Sequence, residues 1–204
     1  MADRTLFTLV RHGETAANTG GVWHGSTDTP LGERGRRQAE RVAGHLAATR
    51  GDSVALYTSP LERARRTAEP IGRALSLEPR VEPGLAEYHL GSWEGKTYEV
   101  LLKEHELWQN MQRDPDFKPH GGESGRDVVE RFRQALDAMA ARHPGERVVV
   151  VSHGGAMSLF MSAALRDRLG EWYDPMHNCA ISELVLSPEP RLLGFDLVDH
   201  LEGV

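Results

Sequence analysis

One run of four valines constrains the fold more than any other stretch of the chain. Arg147–Val151 (RVVVV) has no polar residue after its first position. β-Branched residues favour strands, and a strand that is apolar at every position is typical of a parallel sheet with both faces covered. The run therefore predicts a parallel sheet with helices packed on its two sides.

Apolar strands and amphipathic helices alternate around this run. Strands are predicted at Thr5–Val10, Val54–Thr58, Ile181–Leu186 and Leu192–Val198, and helices at Leu31–Thr49, Pro60–Leu75, Thr97–Gln112, Ser124–Arg142 and Gly154–Leu165. Pro60 is expected in the first turn of its helix, where a missing N–H costs nothing. Such alternation is typical of α/β proteins. We predict a three-layer α/β/α sandwich with a mostly parallel central sheet and an antiparallel edge strand.

Length and composition fit one domain. The chain has 204 residues, of which 39% are hydrophobic and 26% charged. A chain of this size buries a core without disulfides or a structural metal. We predict a single domain over residues 1–204, with a cap-like insertion at about 88–125, the longest segment between core elements.

Charge and cysteine content exclude several classes of protein. The net charge of −6 argues against a protein that coats nucleic acid, which usually carries a basic footprint. The single cysteine, Cys179, excludes an internal disulfide and a multi-cysteine zinc site. The longest apolar stretch, Ala156–Leu165, is far shorter than the about 20 residues of a membrane span. We expect a cytoplasmic protein with no membrane or nucleic-acid partner.

A histidine follows two of the predicted strands at the point where each ends. The first strand leads into Arg11-His12-Gly13, and the valine strand leads into Ser152, His153 and Gly154. Open α/β sheets bind ligands at the carboxyl ends of their strands, and a glycine there leaves backbone N–H groups free for an anion. One such histidine is an ordinary loop residue, but two equivalent ones favour an active site.

An arginine lies at a third strand end. Arg63 follows the strand Val54–Thr58 and is expected in the first turn of the next helix. A cation is unfavourable at a helix N-terminus, which carries partial positive charge, unless an anion binds there. A guanidinium and helix N–H groups together suit a phosphate. The alternative is a solvated surface arginine, since Arg65 and Arg66 lie nearby.

Five blocks of sequence carry a more specific signal. They are LVRHGET (Leu9–Thr15) with Asn18, SPLERARRTA (Ser59–Ala68), LAEYHLGSWEGKT (Leu85–Thr97), GGES (Gly121–Ser124) and SHGG (Ser152–Gly155). In this order they resemble the histidine phosphatase superfamily, which includes cofactor-dependent phosphoglycerate mutases and related phosphatases. The resemblance implies the phosphoglycerate mutase-like form of the predicted sandwich.

The resemblance also implies a set of catalytic roles. His12 is the expected nucleophile, which attacks phosphorus to form a phosphohistidine. Arg11, Arg63 and His153 are expected to surround the phosphoryl group and stabilise its oxygens. Glu87 is the expected acid that protonates the leaving oxygen and then activates water as a base.

Further residues are expected to contact the substrate. Asn18 and Gly154 match additional phosphate contacts of the family, and His24 and Gly25 lie in its pocket-lining first loop. Tyr88 and His89 follow Glu87 directly and are also expected at the substrate. Trp23 and Trp93 fit pocket walls and core positions equally well.

Other ligand signals are weak. Gly91–Thr97 (GSWEGKT) has three residues between its glycines, whereas a nucleotide-binding P-loop has four. The eight histidines other than His12 and His153 show no metal-ligand spacing. We therefore predict neither a metal nor another cofactor.

Hydrolysis and phosphoryl transfer between substrates share this chemistry. The family's mutases follow the glutamate with Arg and Tyr and carry a longer, arginine-bearing insertion that grips a carboxylate. Here HLGSWEG (His89–Gly95) resembles the phosphatase branch, and the cap cations Lys103, Arg113, Lys118 and Arg126 form no evident clamp. We predict a metal-independent phosphomonoester hydrolase. A phosphoglycerate mutase is the alternative, and a catalytically silent phosphate-binding module is a remote one.

The predicted hydrolase activity defines the expected binding partner. It is a small-molecule phosphate ester, bound in a local basic pocket within an acidic protein. A homodimer is left open by the sequence.

Overall fold

A computed structural model describes residues 4–204, in which six strands form one sheet. They are β1 (Leu6–Arg11), β2 (Ser53–Thr58), β3 (Pro79–Val81), β4 (Arg147–Ser152), β5 (Ile181–Val185) and β6 (Arg191–Leu197), and their order across the sheet is β3-β2-β4-β1-β5-β6. The four strands from β3 to β1 pair in parallel, whereas β5 is antiparallel to both β1 and β6. The predicted mostly parallel sheet with antiparallel pairing at its edge is confirmed, and the antiparallel edge consists of two strands, β5 and β6.

Helices cover both faces of this sheet. They are α1 (Ala16–Thr19), α2 (Glu33–Thr49), α3 (Glu62–Leu75), α4 (Tyr98–Lys103), α5 (Leu107–Arg113), α6 (Gly125–Arg142) and α7 (Gly154–Arg166). One hydrophobic core joins α6 and α7 to one face of the sheet, and a second joins α2 and α3 to the other face.

The valine strand β4 contributes to both cores. Val148 and Val150 pack in the core with α6 and α7, and Val149 and Val151 pack in the core with α2 and α3. All four side chains are fully buried. Alternation along a strand sends successive side chains to opposite faces, so a strand apolar at every position needs a helical layer on each side. The predicted three-layer sandwich is confirmed.

The helix predicted over Thr97–Gln112 is wrong in one respect, because the structure has two shorter helices there. The chain leaves α4 after Lys103, and Glu106 adopts a left-handed conformation with φ of 44° before α5 begins. In one continuous helix, the side chains of Leu101 and Leu107 would point about 120° apart around the helix axis. The break allows both side chains to be fully buried in the same core. Tertiary packing here overrides local helical periodicity.

Two smaller features also differ from the predictions. Pro60 precedes α3 instead of lying in its first turn, because Leu61 is the N-cap and Glu62 is the first helical residue. Strand β3 was not predicted, because three residues that begin with a proline are too few to show the two-residue alternation of a strand. It lies at the sheet edge, where proline is tolerated.

The predicted insertion contains α4 and α5, whose buried leucines join the core of α6 and α7. The prediction of one domain over residues 1–204 includes residues 1–3, which lie outside the described residues, and it stays a prediction. In the described chain, no helix combines the length and the apolar character that crossing a membrane requires.

Candidate active site

The sheet aligns the carboxyl ends of three parallel strands. Arg11 at the end of β1 pairs with Ser152 at the end of β4, and Thr58 at the end of β2 pairs with Val151. The residues that follow therefore meet at one edge of the sheet. The ring centroids of His12 and His153 are 5.1 Å apart.

Close backbone packing holds the turn after β1. A Cβ on Gly13 would lie 2.4 Å from the carbonyl oxygen of Gly35 in α2, so a side chain at Gly13 is excluded. The Gly13 N–H also donates to the hydroxyl of Thr67 in α3, at 3.0 Å. The turn that carries His12 is thus fixed against both helices of one layer.

A backbone hydrogen bond holds the ring of His12 in one tautomer. Its Nδ1 lies 2.8 Å from the carbonyl oxygen of Gly13. Because a carbonyl only accepts hydrogen bonds, Nδ1 carries the proton and Nε2 keeps its lone pair. Burial, followed by the charges of Arg63 and Arg11, lowers the pKa of His12 well below 6.5. At neutral pH the imidazole is therefore neutral and nucleophilic.

Arg63 is a completely buried cation beside His12. Its terminal nitrogens donate to the carbonyl oxygens of Thr27, at 2.9 Å, and Gly25, at 2.7 Å. Burial lowers its pKa to about 10, so it stays charged at neutral pH. The carbonyls hold two edges of the guanidinium, while Nε has no protein partner.

Glu94 organises the loop that holds Arg63. Its carboxylate accepts from the Ser26 N–H and hydroxyl, both at 2.9 Å, and from the Thr27 hydroxyl at 3.0 Å. Gly25 has φ of 42°, and a Cβ there would lie 2.4 Å from Glu94 Oε1. The carboxylate therefore fixes the backbone whose carbonyls orient the arginine.

Arg11 lies against the start of α7. One of its terminal nitrogens donates to the carbonyl of Met176, and its Nε has no protein partner. A Cβ on Gly154 would lie 3.1 Å from that Nε. Glycine at position 154 thus lets the guanidinium approach the N-terminus of the helix.

Two further histidines flank His12. His153 Nε2 lies 2.7 Å from the Ser59 hydroxyl, and the His24 ring centroid lies 5.9 Å from that of His12. Burial and the nearby Arg63 lower the pKa of His24 to about 3 and that of His153 well below 6.5. Both rings are neutral at neutral pH.

Buried nitrogen atoms without a partner cluster around His12. Within residues 4–204, eight buried side-chain atoms lack a hydrogen-bond partner, and four of them are Arg11 Nε, His24 Nδ1, Arg63 Nε and His153 Nδ1. An unsatisfied buried polar group costs about 1–3 kcal/mol, so native proteins rarely keep several together. The two guanidinium donors suit a ligand with several acceptor oxygens and negative charge, such as a phosphoryl group.

Glu87 is held at the N-terminus of α7. One carboxylate oxygen accepts from the N–H groups of Tyr88 and Ala156, both at 2.8 Å, and the other accepts from Gly155 at 3.1 Å. A Cβ on Gly155 would lie 2.6 Å from the ring of Trp23 and 2.7 Å from Glu87. Glycine is therefore required for this packing of carboxylate, helix and indole.

These groups open into a cavity of about 260 Å³. Its lining includes seven residues predicted at the site, namely Arg11, His12, Asn18, His24, Gly25, Glu87 and Gly154. The side-chain oxygen of Asn18 accepts from Thr15 and Asn178, which leaves its amide nitrogen free to donate to a ligand. Arg63 and His153 are completely buried next to this lining.

Two predicted substrate contacts lie elsewhere. Tyr88 is fully buried, with its hydroxyl 3.6 Å from Met111 Sδ, and its carbonyl accepts from the Trp23 indole at 3.2 Å. His89 is half-exposed and lies 3.6 Å from Glu94. The structure brings neither side chain into the cavity lining.

The sequence prediction missed part of the cavity. Tyr98, Trp172, Tyr173 and Met176 line it together with Trp108. Trp172 and Tyr173 follow α7 in an irregular loop that has no periodicity to reveal its position. The loop is placed by tertiary contacts such as the hydrogen bond from the Ser158 hydroxyl to the Tyr173 carbonyl, at 3.2 Å.

A larger groove of about 760 Å³ lies between α2 and α3 and includes none of the predicted site residues. Several arginines line it, and three of them pair with carboxylates: Arg37 with Glu33, Arg66 with Glu62 and Arg73 with Glu40. We therefore place the candidate site in the cavity at His12. Within the described chain, no cluster of three or more His, Cys, Asp or Glu side chains could hold a metal ion.

Comparison with known proteins identifies the family. Residues 7–193 match the histidine phosphatase superfamily, branch 1. The chain belongs to this superfamily, as its sequence blocks predicted.

Several relatives share most of the chain. It is 39% identical over 158 residues to the metal-independent phosphoserine phosphatase of Arabidopsis thaliana, covering 75% of this chain and 66% of that protein. It is 36% identical over 187 residues to a probable phosphoglycerate mutase of Cronobacter sakazakii, covering 90% and 86%. It is also 36% identical over 170 residues to a bifunctional protein of Mycobacterium tuberculosis, covering 83% of this chain and 46% of that protein. The chain thus spans about half the length of this last relative.

A solved structure supports the same fold. A mutant phosphoserine phosphatase from Entamoeba histolytica, in complex with phosphoserine, superposes with a TM-score of 0.85 and 28% identity, covering 97% of this chain and 99% of that chain.

Proposed function

We propose that the protein is a metal-independent phosphomonoester hydrolase that forms a phosphohistidine on His12. Membership of the superfamily and the named phosphatases among its relatives support the reaction class. The observation that carries the mechanism is the His12 tautomer, because a proton on Nδ1 leaves the Nε2 lone pair as the nucleophile.

In the first half of the reaction, the His12 Nε2 lone pair forms a bond to phosphorus while the bond from phosphorus to the ester oxygen breaks. Glu87 donates a proton to the departing oxygen, which leaves as an alcohol. Arg11 and Arg63 stabilise the negative charge on the phosphoryl oxygens throughout.

In the second half, Glu87 takes a proton from a water molecule, whose oxygen attacks phosphorus. The bond between phosphorus and Nε2 breaks, inorganic phosphate leaves, and His12 returns to its neutral form. Glu87 is protonated again, so one cycle consumes one ester and one water and needs no cofactor.

Transfer to a second substrate is the alternative, since one relative is named a probable phosphoglycerate mutase. A mutase must hold a carboxylated ligand. Three of the cap cations are paired with surface carboxylates instead, Lys103 with Glu99, Lys118 with Asp127 and Arg126 with Asp116. None of these lysines or arginines lines the described cavity, which favours hydrolysis. A silent binding module is disfavoured because the five expected catalytic residues are all present.

Two assays test the proposal together. Hydrolysis of p-nitrophenyl phosphate is expected to persist unchanged in excess EDTA, and loss of activity on chelation would refute metal independence. Conversion of 3-phosphoglycerate to its 2-isomer, with the bisphosphorylated cofactor supplied, is expected to be much slower than release of inorganic phosphate. The reverse ratio would identify a mutase.

A further inference from the structure

The cavity has a second half that the proposed chemistry does not use. It consists of five aromatic side chains, which we call the aromatic wall: Trp23, Tyr98, Trp108, Trp172 and Tyr173. They come from the loop after α1, from α4, from α5 and from the loop after α7. Four separate segments therefore place aromatic rings in the lining of the cavity that opens at His12.

The rings support one another in fixed geometry. The Trp23 ring meets those of Tyr98 and Trp172 edge to face, with centroids 5.7 and 5.5 Å away, and Trp172 lies 5.7 Å from Trp108. Edge-to-face contacts are favourable because the positive edge of one ring meets the negative face of the next. A rigid surface of this kind binds an apolar group without ordering flexible side chains first.

Charge at this end of the cavity disfavours an anion. Besides Arg11 and Glu87 at the phosphoryl end, the charged lining residue is Asp174. Its carboxylate is 2.9 Å from Arg166, whose guanidinium also stacks 3.8 Å from the Tyr173 ring centroid. Arg166 is thus already engaged, and it does not line the cavity. Within residues 4–204, a carboxylate on the leaving group would meet the Asp174 carboxylate and aromatic rings, and no Lys or Arg lines this end of the cavity. The buried Trp172 Nε1 has no hydrogen-bond partner, and as a single neutral donor it does not balance the charge of a carboxylate.

The volume of the cavity limits the size of the leaving group. The cavity of about 260 Å³ lies just below the range of about 300–1,000 Å³ that is common for ligand sites. The cavity itself has room for a phosphoryl group and a group of about one ring.

We infer that the preferred substrate carries an uncharged, apolar leaving group of about the size of one ring, bound on the aromatic wall. This inference rests on the proposed hydrolase and narrows its substrate class. It separates the chain from its phosphoserine phosphatase relatives, whose named substrate carries a charged amino-acid end.

Binding and turnover measurements test the inference separately. Affinity is measured by calorimetry for two non-hydrolysable ligands that differ at one end, 2-phenylethylphosphonate and 2-carboxyethylphosphonate. The phenyl ligand is expected to bind at least about tenfold more tightly. Equal affinity, or tighter binding of the carboxylate, would overturn the inference whether or not the protein is a hydrolase.

Turnover is compared for 2-phenylethyl phosphate, phosphoserine and 3-phosphoglycerate. All three release a primary alcohol, so leaving-group reactivity is closely matched. We expect kcat/KM to be at least about tenfold higher for the phenyl ester. If all three esters and p-nitrophenyl phosphate are inert, the proposed function fails; if a carboxylated ester is preferred, this inference alone fails.

A pair of variants on one helix tests the aromatic wall. Tyr98 lies in the wall and is 37% exposed, whereas Leu102 on the same helix is 45% exposed and outside the cavity lining. Tyr98→Arg is expected to shift the kcat/KM ratio of 2-phenylethyl phosphate to 3-phosphoglycerate by about tenfold or more toward the carboxylate. Leu102→Arg is the matched control and should leave the ratio unchanged. Equal ratios in the two variants would contradict a role for the wall.

Discussion

Replacing Glu87 by glutamine separates its chemical role from its structural one. The carboxylate accepts three backbone N–H bonds, from Tyr88 and Ala156 on one oxygen and from Gly155 on the other. A glutamine can keep its oxygen toward the first two donors, but its NH₂ then faces the N–H of Gly155. One buried donor loses its acceptor, which costs about 1–3 kcal/mol. For a chain of this size, the melting temperature should fall by roughly 2–12 °C, and the variant should still fold.

The kinetic effect should depend on the leaving group. General acid catalysis contributes about 10²–10⁴-fold when the departing oxygen needs a proton. Glu87→Gln should therefore reduce kcat/KM by about this factor for an alkyl phosphate, and much less for p-nitrophenyl phosphate, whose phenolate leaves without protonation. Both rates are measured on protein whose melting temperature is known.

A second buried carboxylate provides the control. Glu183 is also buried and bonds to Arg50 and Arg147, at the amino ends of the parallel strands, away from the cavity. Glu183→Gln should lower stability while leaving the ratio of the two rates unchanged. Equal losses for both esters in Glu87→Gln would refute its role as the acid.

Three other predictions follow from the site and its supports. Burial holds His12 neutral, with its pKa well below the 6.5 of the unfolded chain, so the unfolded state takes up the proton first as the pH falls. The contribution of His12 to stability is complete above about pH 6.5 and is lost below it at up to about 1.4 kcal/mol per pH unit, and the buried His24 and His153 add declines of the same sign. In chemical denaturation, His12→Asn should make the total decline less steep by the His12 share, and an unchanged slope would contradict this. Glu94→Ala removes the hydrogen bonds that hold residues 25–27 and should lower kcat by about 10–100-fold, because Arg63 is then misplaced. Glu94→Gln should give a kcat between those of Glu94→Ala and the unchanged protein. An unchanged kcat in Glu94→Ala would contradict this prediction. A Cβ on Gly44 in α2 would meet no atom within 4 Å, so Gly44→Ala should raise the free energy of unfolding by about 0.5–1 kcal/mol in a denaturant titration. A lower free energy of unfolding would contradict this prediction.

The strands and their layers follow closely from local pattern. An apolar run at every position of β4 requires two covered faces, and its valines do divide between the two cores. The alignment of β1 with β4 follows from parallel pairing, so histidines that follow each strand must meet. The meeting of His12 and His153 could thus be predicted before any contact was known, while their catalytic roles stay predictions.

The cavity beyond the phosphoryl site depends on contacts that local pattern does not encode. Leu107 faces the core because the chain breaks at Glu106, which returns it to the side that Leu101 occupies. Trp172 reaches the site through a loop placed by packing against α7 and Trp23. Likewise, no sequence pattern separates the two neighbours Glu87 and Tyr88. The structure places Glu87 in the cavity lining and buries Tyr88 outside it.

The most direct test of the central claim is to trap the phosphoenzyme and locate its phosphoryl group. Rapid alkaline quenching during turnover, followed by peptide mass spectrometry without an acid step, should find a phosphoryl group on His12, and acid treatment of the same sample should remove it. It should be absent in His12→Asn and present in His45→Asn, a control at a histidine outside the cavity lining. An acid-stable, alkali-labile adduct, or a phosphoryl group on another residue, would contradict the account.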